Sequence, residues 1–288
     1  MKKNRDHLVL FIAITLAWTW IGGLFPLFLN SVDDGTKDLL FKLIAGPAPS
    51  ITGIAIVLLT YTKLQKRDYF RRAFHFKQMG IKWPLLTTAF NVIILGVTIF
   101  VSVNFMGGAV PEFEAIHTIF RQPYMLLWFL FFGIMSGPFN EEFGWRGFAL
   151  DRLLARFGFF VGGTVIMGVI WGIWHLPWYF FPGNAQYIWW QMSPIHGMVY
   201  ILHTVMLSGV VTVVYIKTNR SIMAGAFVHF ISNIFAGMLV YPFDDAYMLT
   251  MLYVKIVLDG LVVLYFARNR KFQDELKHQI SLIKNDFQ

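Results

Sequence analysis

The feature of this sequence that most constrains its fold is the recurrence of long apolar runs along the whole chain. A run of about 18 or more apolar residues, rising about 1.5 Å per residue as an α-helix, is long enough to cross the roughly 30 Å hydrocarbon core of a bilayer. Hydrophobic residues make up 57% of the 288 residues and charged residues only 14%, a composition that soluble domains seldom have. The sequence therefore predicts an all-α, multi-pass protein of the cell membrane, with the lipid bilayer as its first partner.

About eight transmembrane helices are predicted when the apolar runs are ended at charges and at clusters of Pro, Gly and Asn. The predicted spans are 8–30, 39–61, 84–106, 122–140, 159–181, 195–216, 221–240 and 247–267. Because no repeat, low-complexity tract or long linker separates them, residues 1–288 are predicted to form a single integral-membrane domain.

The distribution of Lys and Arg predicts the orientation of this bundle, because short loops rich in these residues stay in the cytoplasm. Most of them lie in the N-terminal tail, in segments 62–83 and 141–157, in the turn 217–220 and in the basic tail 268–288. Both termini are therefore predicted to be cytoplasmic. This bias and the attraction of anionic lipid explain the net charge of +8, so no nucleic-acid partner is expected.

Ionisable side chains within the apolar runs are the candidate functional residues, because each costs roughly 2.5–3.5 kcal/mol to insert. Five of them receive structural interpretations. Lys42 lies near a span end, where its ammonium reaches the interface, and His196 and His203 are expected to make polar contacts between helices. Lys255 and Asp259 are four residues apart on the last span and are expected to neutralise each other. The others fall in three segments: "EEFGWR" beginning at Glu141, "WGIWH" ending at His175, and "HFISN" beginning at His229.

Helical spacing predicts different roles for the polar residues of these segments. Glu142 and Arg146 are four residues apart and are predicted to form an ion pair, whereas Glu141 points about 100° away and is left free. His229 and Asn233 are also one turn apart and share a helix face. A charged helix cap or a packing histidine explains each segment equally well when it is taken singly. Their coincidence favours a site that activates water and stabilises an oxyanion.

The three segments resemble, in order, the motifs of the CPBP intramembrane protease family. This family includes the type II CAAX prenyl endopeptidases and bacterial relatives linked to bacteriocin processing and self-immunity. Its EExxxR motif is matched by Glu141, Glu142 and Arg146. Its FxxxH motif is matched at His175, with Trp171 in the aromatic place.

The third family motif, a histidine followed four residues later by Asn or a similar residue, is matched by His229 and Asn233. The order and separations of the motifs are also similar to those of the family. The resemblance covers roughly residues 120–240, with all the candidate catalytic residues within 141–233, while the first three helices match only in hydropathy.

The resemblance implies an intramembrane endopeptidase that hydrolyses a peptide bond in a lipidated or hydrophobic peptide or protein. The resulting hypothesis is that Glu141, aided by His175, deprotonates the attacking water. His229 and Asn233 then stabilise the tetrahedral oxyanion, and the ion pair of the first motif orients the site.

The sequence leaves open whether a metal takes part. It contains no cysteine and no HExxH motif, and the candidate ligands for a catalytic zinc, which commonly has three, are His175, His229 and Glu141. Because a carboxylate that binds zinc is no longer free to act as a base, the favoured interpretation requires no metal cofactor.

Two other classes of function also stay open. A proton-coupled transporter places carboxylates and histidines within its spans, although such transporters typically show inverted repeats and none is visible here. A noncatalytic membrane immunity or scaffold protein of the same fold is the second alternative. The identity of the substrate and the oligomeric state are not predicted.

The predicted spans place His175 and His229 at different depths in the membrane. His175 lies 16 residues into its span and His229 only 8 residues into its own, which correspond to about 24 and 12 Å. Either the fifth helix enters later or tilts, or the segment 141–157 dips into the membrane. We favour the first explanation, because Pro177 and the Gly-rich segment 161–168 are typical of an irregular, tilted helix.

Overall fold

The architecture is all-helical, as predicted. The structure, a computed structural model, describes residues 6–135, 137–239 and 244–287, and within these ranges it has no β-strand. The α-helices are α1 (Leu8–Ala17), α2 (Asp34–Ala45), α3 (Ala48–Thr60), α4 (Lys63–Phe74), α5 (Lys82–Phe105), α6 (Glu114–Arg121), α7 (Met125–Met135), α8 (Pro138–Gly144), α9 (Leu150–Phe157), α10 (Met167–Trp174), α11 (Ala185–Met192), α12 (Pro194–Lys217), α13 (Ile222–Asn233), α14 (Asp245–Arg268) and α15 (Arg270–Phe287).

Shorter helical segments of other types connect several of these helices. The π-helical segments are Trp18–Gly22, Trp145–Ala149, Gly158–Ile166 and Ile234–Met238, and the 3₁₀ segments are Phe25–Phe28, Phe76–Gln78 and Leu176–Phe180. Two of these four π-helical segments, Trp145–Ala149 and Ile234–Met238, overlap or directly follow a sequence motif, and π-helical turns are often found at functional sites.

Six helical runs are long and apolar enough to cross a membrane, so the chain is a multi-pass integral membrane protein. They are Leu8–Phe28, Asp34–Thr60, Lys82–Phe105, Met125–Phe180, Pro194–Lys217 and Asp245–Arg268. The predicted fourth and fifth spans fall within one of these runs, Met125–Phe180, which reverses direction at Gly158. The predicted seventh span corresponds to the shorter apolar helix Ile222–Gly237.

The segment 141–157 is not the cytoplasmic loop that its basic residues suggested. Together with the π-helical turn between them, α8 and α9 form a largely buried stretch that runs parallel to α3. Gly53 packs against Gly144 at one level, and Tyr61 accepts a hydrogen bond from Arg152 further along both helices. The count of basic residues treated this segment as cytoplasmic, but two of its three arginines, Arg146 and Arg152, are buried. This burial agrees with the alternative that 141–157 dips into the membrane.

This course places the first two motifs at the same level of the bundle. The backbone of Gly158 has a φ of +70°, which favours glycine, and it reverses the chain between α9 and the π-helical segment that precedes α10. Glu141 precedes this turn, and His175 follows it, by nearly the same number of residues. Each side chain is therefore about 25 Å from the turn.

The third motif reaches the same level because α13 begins deeper than the turn at residue 158. Arg220, just before α13, donates a hydrogen bond of 2.6 Å to Asp151 on α9. Ser221 then caps α13, accepting a hydrogen bond of 3.1 Å from the backbone N–H of Ala224. His229 lies about 12 Å beyond this cap, at the level of the first motif. The deep start of α13 accounts for the level of the third motif. The fifth helix is irregular, as expected, since it begins with the π-helical segment Gly158–Ile166 and ends in the 3₁₀ turn Leu176–Phe180.

Candidate active site

The first motif supplies two adjacent carboxylates that have different partners. Pro138 opens α8 at its first turn, and both Glu141 and Glu142 are buried. Glu142 Oε1 accepts a hydrogen bond of 2.8 Å from the guanidinium of Arg146, so the predicted ion pair is present. This guanidinium also lies over the ring of Trp171, 4.4 Å from its centroid.

Glu141 is directed away from this ion pair, as the helical spacing predicted. Its Oε2 accepts a hydrogen bond of 2.6 Å from the indole Nε1–H of Trp171, which leaves Oε1 for another partner. An indole nitrogen only donates, so this contact holds one oxygen of the carboxylate in place. Sequence reasoning placed Trp171 in the aromatic position of the second motif but did not assign it this contact.

The second motif presents its histidine at the end of α10. His175 Nδ1 lies 2.8 Å from the backbone oxygen of Trp171. A carbonyl oxygen only accepts, so Nδ1 carries the proton, and Nε2 of the neutral ring has a free lone pair. The chain then leaves the α-helix through a 3₁₀ turn that contains Pro177. The ring of His175 is enclosed by the rings of Trp174, Trp178 and Tyr200.

The third motif is tied to the first by a contact between helices. His229 Nδ1 lies 2.9 Å from Glu142 Oε1, the same oxygen that accepts from Arg146. An ionised carboxylate only accepts, so the proton of this contact is on Nδ1. The side chain predicted to support the first motif therefore also orients the histidine of the third. The ring packs edge-on against Trp171, with the centroids 5.1 Å apart.

His229 and Asn233 converge on one point beside the backbone of Gly137. A β-carbon built on Gly137 would lie 2.8 Å from His229 Nε2 and 3.1 Å from Asn233 Nδ2. Both nitrogens thus face a space that only the absence of a side chain at this position leaves open. This is the geometry of two convergent hydrogen-bond donors, whenever the imidazole carries a proton on Nε2.

The four predicted catalytic residues line a single cavity of about 360 Å³. They are Glu141, His175, His229 and Asn233. Trp171 contributes to the same wall, whereas the ion pair of the first motif lies behind it. The arrangement brings a carboxylate, two imidazoles and an amide from α8, α10 and α13 to one partly enclosed space.

The candidate zinc ligands do not form a metal site as placed. In the described ranges of the chain, no three His, Asp or Glu side chains are gathered at a spacing that holds a metal ion. The indole of Trp171 packs against both His175 and His229, with its ring centroid 6.0 and 5.1 Å from theirs, and it also holds one oxygen of Glu141. These donors do not fit the three-ligand set of a catalytic zinc, so no step is derived through a metal.

Lys42 and His203, to which the sequence analysis gave structural roles, also line the cavity. His203 was expected to make contacts between helices, and the structure places it on the cavity wall with its ring 5.8 Å from that of Tyr200. Lys42 was expected to extend to the membrane interface, and it too contributes to the wall. Their position in apolar runs marked both residues as unusual, but the sequence did not place them at the cavity, because this depends on how α2 and α12 pack around the second motif.

Fold and site together define a multi-pass helical membrane protein with a carboxylate–imidazole–amide cavity between its helices. Residues 123–235 match the family model described as Type II CAAX prenyl endopeptidase Rce1-like. The chain is also 27% identical over 204 residues to a protein of Methanococcus maripaludis named CAAX prenyl protease 2, an alignment that covers 69% of this chain and 73% of that protein. These matches support the resemblance of the three motifs to those of the CPBP intramembrane protease family.

Proposed function

We propose that this protein hydrolyses a peptide bond with a water molecule activated by Glu141. The observation that carries the proposal is the convergence of Glu141, His175, His229 and Asn233 on one cavity. The matching family model and the name of the archaeal relative support proteolysis as the reaction class.

The proposed base is Glu141 Oε1, because Oε2 is held by Trp171. Water bound between this oxygen and the free Nε2 of His175 transfers a proton to the carboxylate as its oxygen bonds to the peptide carbon. The same proton then passes to the leaving nitrogen as the carbon–nitrogen bond breaks, so the carboxylate is regenerated.

The developing oxyanion is proposed to bind beside Gly137, where His229 Nε2 and Asn233 Nδ2 converge. Donation from Nε2 requires a doubly protonated ring, and Glu142, 2.9 Å from Nδ1, supplies the opposite charge that stabilises this form. Glu142 is therefore proposed to act as a positioning residue.

The proposed substrate is a peptide or protein tail with an apolar or lipidated segment. The name of the archaeal relative includes a prenyl protease activity, which supports this class. An apolar cavity of about 640 Å³ also lies next to the second motif, since Leu176 and Pro177, directly after His175, line it together with Trp20 and Met198. A cavity of this kind suits an apolar ligand.

The proposal is tested with Glu141→Gln, which keeps the shape of the side chain and removes the base. With a fluorogenic apolar peptide and the full-length protein in lipid nanodiscs, we expect the turnover rate to fall by roughly 100-fold or more. Glu112→Gln, the same change at an exposed position, is the matched control and is expected to keep the wild-type rate.

Retention of peptide cleavage by Glu141→Gln would contradict the assignment of the base. A wild-type protein that cleaves no apolar or prenylated peptide, but whose cellular phenotype survives the same substitution, would favour the noncatalytic immunity or scaffold alternative. A phenotype that requires Glu141 and depends on a proton gradient would favour the transporter.

We also propose that hydrolysis requires no metal, because the donors around Trp171 do not form a zinc set. The expected outcome is that peptide cleavage by the purified protein stays within about twofold of its initial rate after treatment with a strong chelator. Loss of activity that added zinc restores, together with one equivalent of zinc by elemental analysis, would contradict it.

A further inference from the structure

The bundle contains a buried cation that the proposed hydrolysis does not use. Lys255 is on α14, within an apolar helical run long enough to cross a membrane, and it is 3% exposed. It does not line the catalytic cavity. A lysine at such a position is costly to insert, so its charge needs partners inside the protein. The sequence offered Asp259, one turn further along the same helix, as that partner.

The structure gives Lys255 a different partner. Its Nζ donates a hydrogen bond of 2.8 Å to Oγ of Ser232 on α13. Within the described ranges of the chain, no hydrogen bond or ion pair joins Lys255 to Asp259, and Asp259 Oδ2 is buried without a hydrogen-bond partner. The two charges of α14 therefore attract each other through space, while the direct contact of the ammonium is one between helices.

This contact holds α13 at the residue next to the proposed oxyanion site. Ser232 is 2% exposed and directly precedes Asn233. Because consecutive Cα atoms are about 3.8 Å apart, the ammonium is no more than about 9 Å from the Cα of Asn233. Regular α-helical structure also ends at Asn233, where the π-helical segment Ile234–Met238 begins. The helix geometry therefore changes within one residue of the point that Lys255 holds.

The two donors of the proposed oxyanion site are thus anchored by different helices. His229 is held by Glu142 on α8, over 2.9 Å, and the residue before Asn233 is held by α14. A misplacement of about 1 Å at a reacting group can cost roughly 100-fold in rate. Loss of the contact to α14 would leave the end of α13, and with it the amide beside Gly137, without this polar anchor.

We propose that Lys255 is a positioning residue for the oxyanion site. By binding Ser232, it holds the end of α13 where Asn233 Nδ2 faces the developing charge. The proposal rests on the proposed function and deepens it, because it assigns a role to a charge on α14, a helix outside the three motifs. Since Lys255 does not line the cavity, it is expected to influence the rate of the chemical step and not the binding of substrate.

A double-mutant cycle tests this proposal with the full-length protein in lipid nanodiscs and the fluorogenic apolar peptide. Lys255→Met removes the ammonium and keeps an unbranched side chain, and Ser232→Ala removes the acceptor. Each is expected to lower kcat roughly tenfold and to leave KM within about twofold of the wild-type value. The double variant is expected to be no slower than the slower single variant, because both substitutions remove the same contact.

Two controls on α14 separate this contact from a general loss of polar groups. Thr250→Val removes a buried hydroxyl that has no hydrogen-bond partner in the part of the chain that the structure describes, and it is expected to keep the wild-type kcat. Asp259→Asn tests the pairing that the sequence predicted. Its kcat is expected to stay within about twofold of wild type, because Ser232 and not Asp259 is the direct partner of the ammonium.

Backbone hydrogen exchange, followed by mass spectrometry, gives a readout that does not depend on turnover. Both single variants are expected to exchange faster than wild type in the segment 233–238 and at the wild-type rate in α10. If Lys255→Met does not fold, Ser232→Ala is compared with Thr250→Val, and equal kcat values in these two variants would overturn the proposal.

Three further results would overturn it: unchanged exchange in 233–238, losses of kcat that multiply in the double variant, or a loss in Asp259→Asn equal to that in Lys255→Met. The proposed hydrolysis fails separately. If the wild-type protein cleaves no peptide while exchange in 233–238 responds to both substitutions, the hydrolysis is wrong and only the anchoring of α13 by Lys255 stands.

Discussion

The side chains of the site show how a single residue type can decide the position of a reactive group. Trp171 stands where the resembling family motif has Phe, and its indole gives Glu141 a hydrogen bond that a phenyl ring cannot give. The same ring packs against both histidines and lies under Arg146. One aromatic side chain therefore fixes the proposed base and packs against the groups around it.

Trp171→Phe is expected to lower the turnover rate about tenfold with little change in KM. The substitution keeps an aromatic ring and removes the hydrogen bond of about 1 kcal/mol or more that orients the carboxylate. Steady-state kinetics on the fluorogenic peptide measures both parameters. Trp18→Phe is the control, because it removes an indole hydrogen bond of 3.0 Å to Ile44 O on α2. An equal loss in both variants would show that the effect is on folding.

Gly137→Ala is expected to reduce cleavage more than tenfold without a matching loss of thermal stability. The added β-carbon enters the space that His229 Nε2 and Asn233 Nδ2 face, where the oxyanion is proposed to bind. Gly96→Ala is its control, since a β-carbon at Gly96 on α5 meets no atom within 4 Å. Wild-type activity in Gly137→Ala would remove the proposed oxyanion site from this position.

Residue spacing predicted the contacts within a helix but not those between helices. The pairing of Glu142 with Arg146 and the separate direction of Glu141 follow from 3.6 residues per turn. The contact of Glu142 with His229 joins α8 to α13, and that of Trp171 with Glu141 joins α10 to α8. These contacts between helices could not be predicted from one sequence, because they depend on which helix faces pack together.

At the scale of elements, a group of buried charges joins α4, α9 and the turn before α13. Arg72 on α4 donates to Asp68 over 2.7 Å and lies 3.4 Å from Asp151 on α9. Arg220 reaches Asp151 from the turn. Tyr215 adds a hydrogen bond of 2.7 Å to Asp151. This group sets the deep start of α13 and hence the height of the third motif.

Asp68→Asn is expected to lower the melting temperature by about 2–4 °C near neutral pH, as a loss of roughly 1 kcal/mol predicts. Burial raises the pKa of Asp68, but Arg72 and the hydrogen bonds from Arg71 and Arg72 outweigh it and leave that pKa below its usual value. A lowered pKa in the folded state stabilises the protein fully above about pH 4 and progressively less as the pH falls further.

Thermal unfolding of the detergent-solubilised protein between pH 3 and pH 7 measures this effect. Asp34→Asn is the control, because the pair that Asp34 forms with Lys37 is long and exposed. The difference in melting temperature between wild type and Asp68→Asn is expected to shrink below about pH 4. A difference that stays constant over this range would contradict a role for the charge of Asp68.

Buried arginines of the segment 141–157 explain why it was not predicted to lie inside the bundle. Basic residues in 141–157 suggested a cytoplasmic segment, but Arg146 and Arg152 are buried beside acceptors, Glu142 in the same segment and Tyr61 after α3. Rules that place Arg in water hold for loops without such acceptors. The π-helical turn that links α8 and α9 also has no recognisable sequence signal.

At the scale of the molecule, composition alone predicted a multi-pass helical bundle, and the structure confirms this architecture. The orientation of the bundle stays a prediction. It rests on the basic segments 62–83 and 268–288, which lie outside the apolar runs, and no longer on 141–157.

The orientation can be tested directly because the chain contains no cysteine. In intact cells, a membrane-impermeant maleimide is expected to label Asp34→Cys and to label Arg67→Cys only after the cells are opened. Both positions are exposed, and they flank the run that includes α2 and α3. The opposite pattern would place both termini outside the cytoplasm.

The close contact between α3 and α8 restricts which residues can stand near the proposed base. A β-carbon on Gly53 would lie 2.8 Å from the Cα of Gly144, so the two backbones touch with no side chain between them. Gly144 is three residues after Glu141 on α8, so this contact sets the height of the proposed base against α3. A larger residue at either glycine would push the two helices apart and move the carboxylate away from the indole that holds it.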